Sequence, residues 1–297
     1  MYKYNLSKRL TKVENLIEPA AFLVDIGCDH GFLAIDLIKS GKVKKALCTD
    51  IKEGPLMRAK EHIEEYGLDE QIKTLLSDGL LTLVDNKSKF TPEEMNFDTA
   101  CICGMGGLMG IKIIFEADEF FRKMDCFYLQ LQSDLDLVRL FLGFFGYKIL
   151  FEDMVYEEGK YYTVLKVKNI SSFENSVKIK ENFVKKYKDV VVNDKNFKEA
   201  GLFEGNDEIT DSFFENGFEK VPMILKNIYD NLPAKDCVKY KYPYYDGMDD
   251  EIYESFLRFM INKYLKIKNY LPYNSDRSEA INKELEIMNL AYERYVK

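Results

Sequence analysis

The chain has 297 residues, 46% of them apolar and 31% charged, with a formal net charge of -8. Such a chain can bury a real core, one large domain plus an appendage, and is not intrinsically disordered. The acidic balance argues against a protein that coats nucleic acid by bulk electrostatics, so a nucleic-acid partner has to meet a local basic patch.

In chain order, residues 1–168 alternate short apolar runs with amphipathic stretches, the pattern of a parallel sheet flanked by helices. Strands are predicted at 22–26, 45–49, 72–76, 99–103, 127–132, 147–155 and 161–167. The last two are joined through YEEGKYY, a tight glycine turn that predicts an antiparallel hairpin at the end of an otherwise parallel sheet. Residues 169–240 carry a weaker pattern, with helical pieces at VKIKENFVKKYKD and FEKVPMILKNIYDNL, and are expected to form a mostly helical insertion. In residues 241–297 a narrow apolar stripe runs through Ile252, Phe256, Phe259 and Ile267, interrupted by Lys263, and resumes at Ile281, Leu285, Met288, Tyr292 and Tyr295. With PYNSDRS as the break, this predicts an antiparallel coiled-coil hairpin, the alternative being a helical cap packed on the main domain.

No apolar run reaches the roughly 20 residues needed to cross a bilayer, and the start MYKYNLSKRL lacks a signal-peptide core, so a cytoplasmic protein is expected. The six cysteines (28, 48, 101, 103, 126, 237) include no C-x-x-C pair and are accompanied by only two histidines. Buried free thiols are therefore expected, and no metal site.

Chemistry concentrates at the predicted strand ends. In FLVDIGCDHGFLAIDL an apolar strand runs into Asp25, Gly27 and Gly31, but the position between the glycines that is usually glycine is Asp29. The turn and following helix expose backbone N–H groups, yet a carboxylate there opposes a pyrophosphate and suits a ligand carrying an ammonium and a sulfonium. S-adenosylmethionine is such a ligand, and a nicotinamide dinucleotide is disfavoured. Asp25 is placed to fix the turn or receive the cofactor's amino group, while Gly27, Cys28 and Gly31 form the turn. Asp50, followed by Ile51, ends the second strand where a carboxylate accepts ribose hydroxyls. Asp78 and Gly79 end the third, where a carboxylate accepts from an adenine amino group. CGMGG, with Gly104, Met105, Gly106 and Gly107, ends the fourth as a loop nearly without side chains, able to lie under a cofactor and let a substrate approach. Four such ends in register mark the ligand edge of an open α/β sheet.

LSKRL, DIGCDHGFL, EGPLMRAKEHI, GLDEQI, SDGL, CGMGG, LQSD followed by VRLFL, and EEGKYYTVLKV occur in an order and spacing that resembles the bacterial tRNA (adenine-N1)-methyltransferase family that modifies the adenine at tRNA position 22. The resemblance covers residues 1–168, and the terminal helices are similar to that family's C-terminal coiled-coil domain. It implies an α/β fold, with a Rossmann-like, seven-stranded S-adenosylmethionine-dependent methyltransferase sheet, and tRNA as partner. Where that family reads Leu-Gln-Pro-Asn, this chain has Leu131, Gln132, Ser133 and Asp134, a carboxylate in place of an amide.

The reaction so implied uses a neutral ring nitrogen, so alignment and exclusion of water matter more than a strong base. Asp29 or Asp134 is placed to stabilise positive charge developing on the ring, although Asp134 reads equally well as a helix N-cap. His30 and Gln132 complete the candidate catalytic set, and His30 also reads as a turn residue. Gly106, Gly107 and Met105 are candidates for the floor of the base pocket. Basic residues bunch at Lys3, Lys8, Arg9 and Lys12, at Lys39, Lys42, Lys44 and Lys45, and at Arg258, Lys263, Lys266 and Lys268. Arg9 and Lys266 represent the expected grip on the RNA backbone. A methyltransferase acting on another acceptor and a non-catalytic RNA-binding module of the same fold are the alternatives.

Overall fold

The computed structural model describes residues 5–85, 96–171, 175, 178–179, 183, 220–243, 248–272 and 275–296. Helix α1 (Lys8–Leu16) starts at Ser7, whose hydroxyl accepts the Leu10 N–H at 3.4 Å. There follow β1 (Ala20–Ile26), α2 (Phe32–Lys39), β2 (Val43–Asp50), α3 (Glu53–Glu65), β3 (Ile72–Leu76) and the single turn α4 (Leu81–Val84). Next come β4 (Thr99–Met105), α5 (Gly107–Glu116), α6 (Asp118–Lys123), β5 (Cys126–Leu131), α7 (Leu135–Phe144), β6 (Tyr147–Glu157) and β7 (Lys160–Asn169). From residue 220 onward the described helices are α8 (Lys220–Asn231), α9 (Ala234–Lys241), α10 (Asp250–Lys268) and α11 (Asp276–Val296).

The seven described strands form one sheet in the order β3-β2-β1-β4-β5-β7-β6. All pairings are parallel except β5 with β7 and β6 with β7. Every predicted strand is present, with ends within two residues of the expected ones. The central strands are buried on both faces, as in β5, where all residues after Cys126 are buried, so they read as apolar runs rather than alternations. The β6–β7 loop is Glu158 and Gly159, at φ 48° and 80°, because Glu157 pairs with Lys160. Two successive positive φ values make a type I′ turn, whose twist matches that of the strands.

Helices α1 to α3 bury one face of the sheet through Val13, Leu33, Ile35, Leu37, Ala59 and Ile63. The other face carries α4 to α11 in a single apolar cluster running from Ile111 and Phe141 to Leu225, Val238, Leu257 and Met288. Along the sheet, strand order reverses between β1 and β4. The chain leaves β1 toward one face and β4 toward the other, so a crevice opens at their carboxyl ends.

The helical part is anchored on the sheet's β6 side. The buried Arg139 guanidinium of α7 pairs with Glu152 of β6 at 3.0 Å and donates to the Tyr240 carbonyl at 2.6 Å. Tyr253 donates to the Tyr242 carbonyl at 2.8 Å, and the Tyr161 and Ser255 hydroxyls are 2.6 Å apart. Helices α10 and α11 run antiparallel, since Tyr253 near the start of α10 meets Tyr295 near the end of α11. The hairpin also packs on the sheet edge, where Phe256 of α10 meets Tyr161 of β7. Its buried positions in α10 are Tyr253 and Leu257, whereas Phe259 of the expected stripe is 48% exposed. Helix α10 divides its apolar side between α11 and the β6–β7 edge, which a single stripe does not capture. Of the two helical pieces expected in residues 169–240, FEKVPMILKNIYDNL is α8, and VKIKENFVKKYKD lies largely outside the described residues.

Candidate functional site

A cavity of about 510 Å³ opens at the carboxyl ends of β1, β2, β3 and β4. That volume suits a nucleoside-sized ligand. It is reached by Arg9, Asp25, Gly27, Cys28, Asp29, His30, Asp50, Ile51, Asp78, Gly79, Gly104, Met105 and Gln132, all singled out from the sequence.

At the end of β1, Gly27 and Gly31 have φ of 72° and 73°. A Cβ on Gly27 would lie 2.0 Å from Met105 Cε, so the turn and the β4 loop are closed on each other. The Gly27 and Cys28 N–H groups donate to the Thr49 carbonyl at 2.8 and 2.9 Å, which pins the turn to β2. Asp29 has φ 51°, a left-handed conformation that costs a non-glycine residue, and its side chain is 68% exposed at the mouth. Gly31, with φ 73°, is the N-cap of α2 and makes no side-chain capping bond.

Asp25 is 2% exposed. Cys101 Sγ donates to its Oδ1 at 3.2 Å, and its Oδ2 has no hydrogen-bond partner. Burial pushes its pKa up to about 6; the Cys101 bond opposes this and the nearby Asp50 adds to it. A protonated amino group at Oδ2 would satisfy this orphaned acceptor. On β2, Asp50 Oδ2 accepts the Asp29 N–H at 3.3 Å and Oδ1 the Lys52 N–H at 2.9 Å. Each oxygen keeps one further lone pair, enough for two ribose hydroxyls. Beyond β3, Asp78 Oδ2 accepts from Lys112 Nζ at 2.7 Å, and Lys112 is raised in pKa chiefly by that bond. Gly79 has φ 57° and lies against Ile113. Ile51, 61% exposed, and Met109, 45% exposed, add apolar surface at the rim.

Four carboxylates thus line the cavity against Lys52 and Arg9, and Arg9 is held 3.8 Å from Glu157 Oε2 and over the Tyr162 ring. The site favours a cationic ligand over a pyrophosphate. His30 Nδ1 is buried without a partner, its Nε2 is 3.7 Å from Asp29 Oδ1, and its ring stacks on Phe32.

Five expected site residues do not line the cavity. Gly31 is closed against α3, where a Cβ would lie 3.2 Å from Ala59 Cβ. Gly107 is buried, where a Cβ would lie 2.3 Å from the Ser133 carbonyl, and the neighbouring Gly106 caps α5. Asp134 occupies the N-cap position of α7 with φ 52°, but its side chain caps no helix N–H. It accepts instead from the Ser133 hydroxyl at 2.6 Å, and Ser133 Oγ in turn accepts the Gly107 N–H at 3.2 Å. Lys266 lies in the exposed last turn of α10. Of the amino-terminal basic cluster, Arg9 and Lys12 pair with Glu157 and Asp153 of β6, which helps dock α1, and Lys3 lies outside the described residues. Lys112 and Cys101 have no signature in the sequence, since each acts through a carboxylate distant in the chain.

Residues 6–165, more than half the chain, match a family model described as a methyltransferase domain. A tRNA (adenine(22)-N(1))-methyltransferase of Bacillus subtilis (strain 168) is 29% identical over 165 residues, 56% of this chain and 66% of that protein. The match thus spans just under two thirds of the Bacillus protein. A putative tRNA methyltransferase of Mycoplasma pneumoniae is 32% identical over 167 residues, 54% of this chain and 71% of that protein. Among solved structures, TrmK of M. capricolum in complex with the cofactor product S-adenosyl-homocysteine superposes with a TM-score of 0.63 at 23% identity, covering 98% of this chain and 99% of that one. The B. subtilis m1A22 tRNA methyltransferase TrmK gives 0.60 at 21% identity, covering 98% and 99%. At these identities the two structures bear on fold alone, which they share with this chain along nearly its whole length. The sequence matches carry the classification: this chain belongs to the methyltransferase-domain family, with bacterial tRNA (adenine(22)-N(1))-methyltransferase among its relatives.

Proposed function

We propose that the protein uses S-adenosylmethionine to methylate N1 of the adenine at position 22 of tRNA, the position and atom that the name of its Bacillus relative states for that protein. The observation that carries the cofactor assignment is the buried, unpartnered Oδ2 of Asp25 in an acidic cavity at the sheet's switch point. Asp25 takes the amino group of the cofactor. Asp50 holds the ribose, and Asp78, steadied by Lys112, reads the adenine amino group. Ile51 and Met105 supply apolar walls, and Gly104 brings backbone close without a side chain.

When bound, the cofactor supplies an electrophilic methyl on a sulfonium that leaves as a neutral thioether. The acceptor nitrogen attacks with its own lone pair, so the chain's task is alignment. Gln132 and Gly104 at the ends of β5 and β4, with His30 and Arg9 across the cavity, bound the space left for the flipped-out base. Asp29 at the mouth stabilises the positive charge that the ring acquires. Asp134, Gly106 and Gly107 shape the adjoining loop rather than touch the ligand. Residues 1–168 form the catalytic unit, while the amino-terminal helix, with Arg9, and the helical hairpin 241–297, with Lys266, hold the RNA backbone. The protein acts in the cytoplasm, where tRNA is found.

Labelled methyl transfer to unmodified bacterial tRNA, followed by nucleoside analysis, tests the reading. It expects 1-methyladenosine, lost in Asp78→Ala. Transfer to a different acceptor, or none by a protein that binds the cofactor, contradicts it.

A further inference from the structure

We infer that Cys101 is a positioning residue for cofactor binding: its thiol occupies Oδ1 of Asp25 and thereby holds Oδ2 as the acceptor for the cofactor's ammonium. The inference rests on the cofactor assignment above and concerns a residue that does not itself line the cavity.

The geometry is set by the sheet. Asp25 on β1 is flanked in register by Cys48 on β2 and Cys101 on β4. All three are buried, so a carboxylate lies between two thiols in the core at the edge of the cavity. Of the two thiols, Cys101 makes the hydrogen bond to Asp25, at 3.2 Å. The titratable groups around Asp25 are Cys48 and Asp50 from β2, Cys101 and Cys103 from β4, and Cys28 from the turn. Arg9 lines the same cavity but is paired with Glu157. Hydrogen bonding to a neighbouring thiol, Cys28 for Cys48 and Cys103 for Cys101, followed by burial and the Asp25 carboxylate, drives both thiols well above their ordinary pKa, so both remain neutral. A neutral thiol can donate one weak hydrogen bond and adds no competing charge.

Two consequences follow. Without the Cys101 donor, both oxygens of Asp25 are buried and unpartnered, and the carboxylate is harder to ionise. A ligand with an ammonium group then binds only at higher pH, whereas a ligand lacking that group is indifferent. Serine at position 101 keeps a donor, and valine keeps the volume without one.

The test is calorimetric binding of S-adenosylhomocysteine and 5′-methylthioadenosine between pH 5 and 8 to the full chain and to Cys101→Val and Cys101→Ser. The thioadenosine lacks the amino-acid moiety and reports the nucleoside half of the site. For Cys101→Val the pH midpoint of homocysteine-ligand binding is expected to move upward, with affinity near pH 6 falling about threefold or more, the low end of the net contribution of one hydrogen bond, as suits a weak thiol donor. Thioadenosine affinity stays unchanged, and Cys101→Ser restores the wild-type midpoint. An unmoved midpoint in Cys101→Val, or equal weakening of both ligands, overturns the inference while leaving the cofactor assignment intact. Failure of the wild type to bind S-adenosylhomocysteine overturns the assignment itself. If Cys101→Val does not fold, Cys101→Ala takes its place: an upward midpoint for the homocysteine ligand alone supports the inference, and an unchanged profile for both ligands contradicts it.

Discussion

The methyl of Met105 lies against the α-carbon of Gly27, 2.0 Å from where a Cβ would stand, so the β4 loop and the β1 turn close on each other across the candidate site. Gly27 also has φ 72°. Gly27→Ala is therefore expected to suffer twice, from the clash and from a left-handed conformation costing a non-glycine residue about 1–2 kcal/mol. Thermal melting and S-adenosylhomocysteine titration should both report the loss. Adding Met105→Ala should recover the steric part and leave the backbone part.

The sheet and its ligand edge were legible because the strands are buried on both faces and end in Asp or Gly. Residue type alone did not separate glycines that serve the ligand from those that serve packing. Gly31 answers to Ala59, and Gly107 to the Ser133 carbonyl. The partners of the key carboxylates were illegible for a different reason. Lys112 is 34 residues from Asp78, and Cys101 is 76 from Asp25, so only the sheet register and the packing of α5 bring them together. Phe259 was misplaced because α10 faces two partners at once.

Asp25 makes a pH prediction whose direction differs between stability and binding. Its folded-state pKa, about 6, lies above the ordinary 3.8, so the folded state favours the protonated form. The stabilisation it contributes is full below about pH 4 and lost as pH rises through about 6, a difference of about 3 kcal/mol. Asp25→Asn is expected to stabilise the ligand-free protein at pH 8 by up to that amount, as read by denaturant unfolding. Cofactor binding runs the other way, because the ammonium needs the carboxylate. Affinity should fall about tenfold per pH unit below 6 in the wild type, and Asp25→Asn should bind weakly at every pH.

Lys112 steadies Asp78 at 2.7 Å. Lys112→Met is expected to weaken S-adenosylhomocysteine binding roughly tenfold, the scale of a charge-assisted hydrogen bond, with little change in melting temperature. Lys112→Arg should recover part of the affinity. Equal binding by all three proteins would mean that Asp78 needs no support.

The Arg139–Glu152 pair is buried and joins α7, β6 and, through the Tyr240 carbonyl, the end of α9. Glu152→Ala leaves a buried guanidinium short of its counter-ion and should cost about 3–5 kcal/mol in denaturant unfolding. A paired Arg139→Met and Glu152→Leu replacement should recover much of it, less what the Tyr240 bond contributes.

The central claim is methylation of one adenine in tRNA, and two tRNA transcripts that differ only at position 22 test it most directly. With labelled S-adenosylmethionine, the transcript carrying adenine there is expected to gain 1-methyladenosine, and the one carrying guanine to gain none. Equal labelling of both, or label in neither while S-adenosylhomocysteine binds, would contradict it.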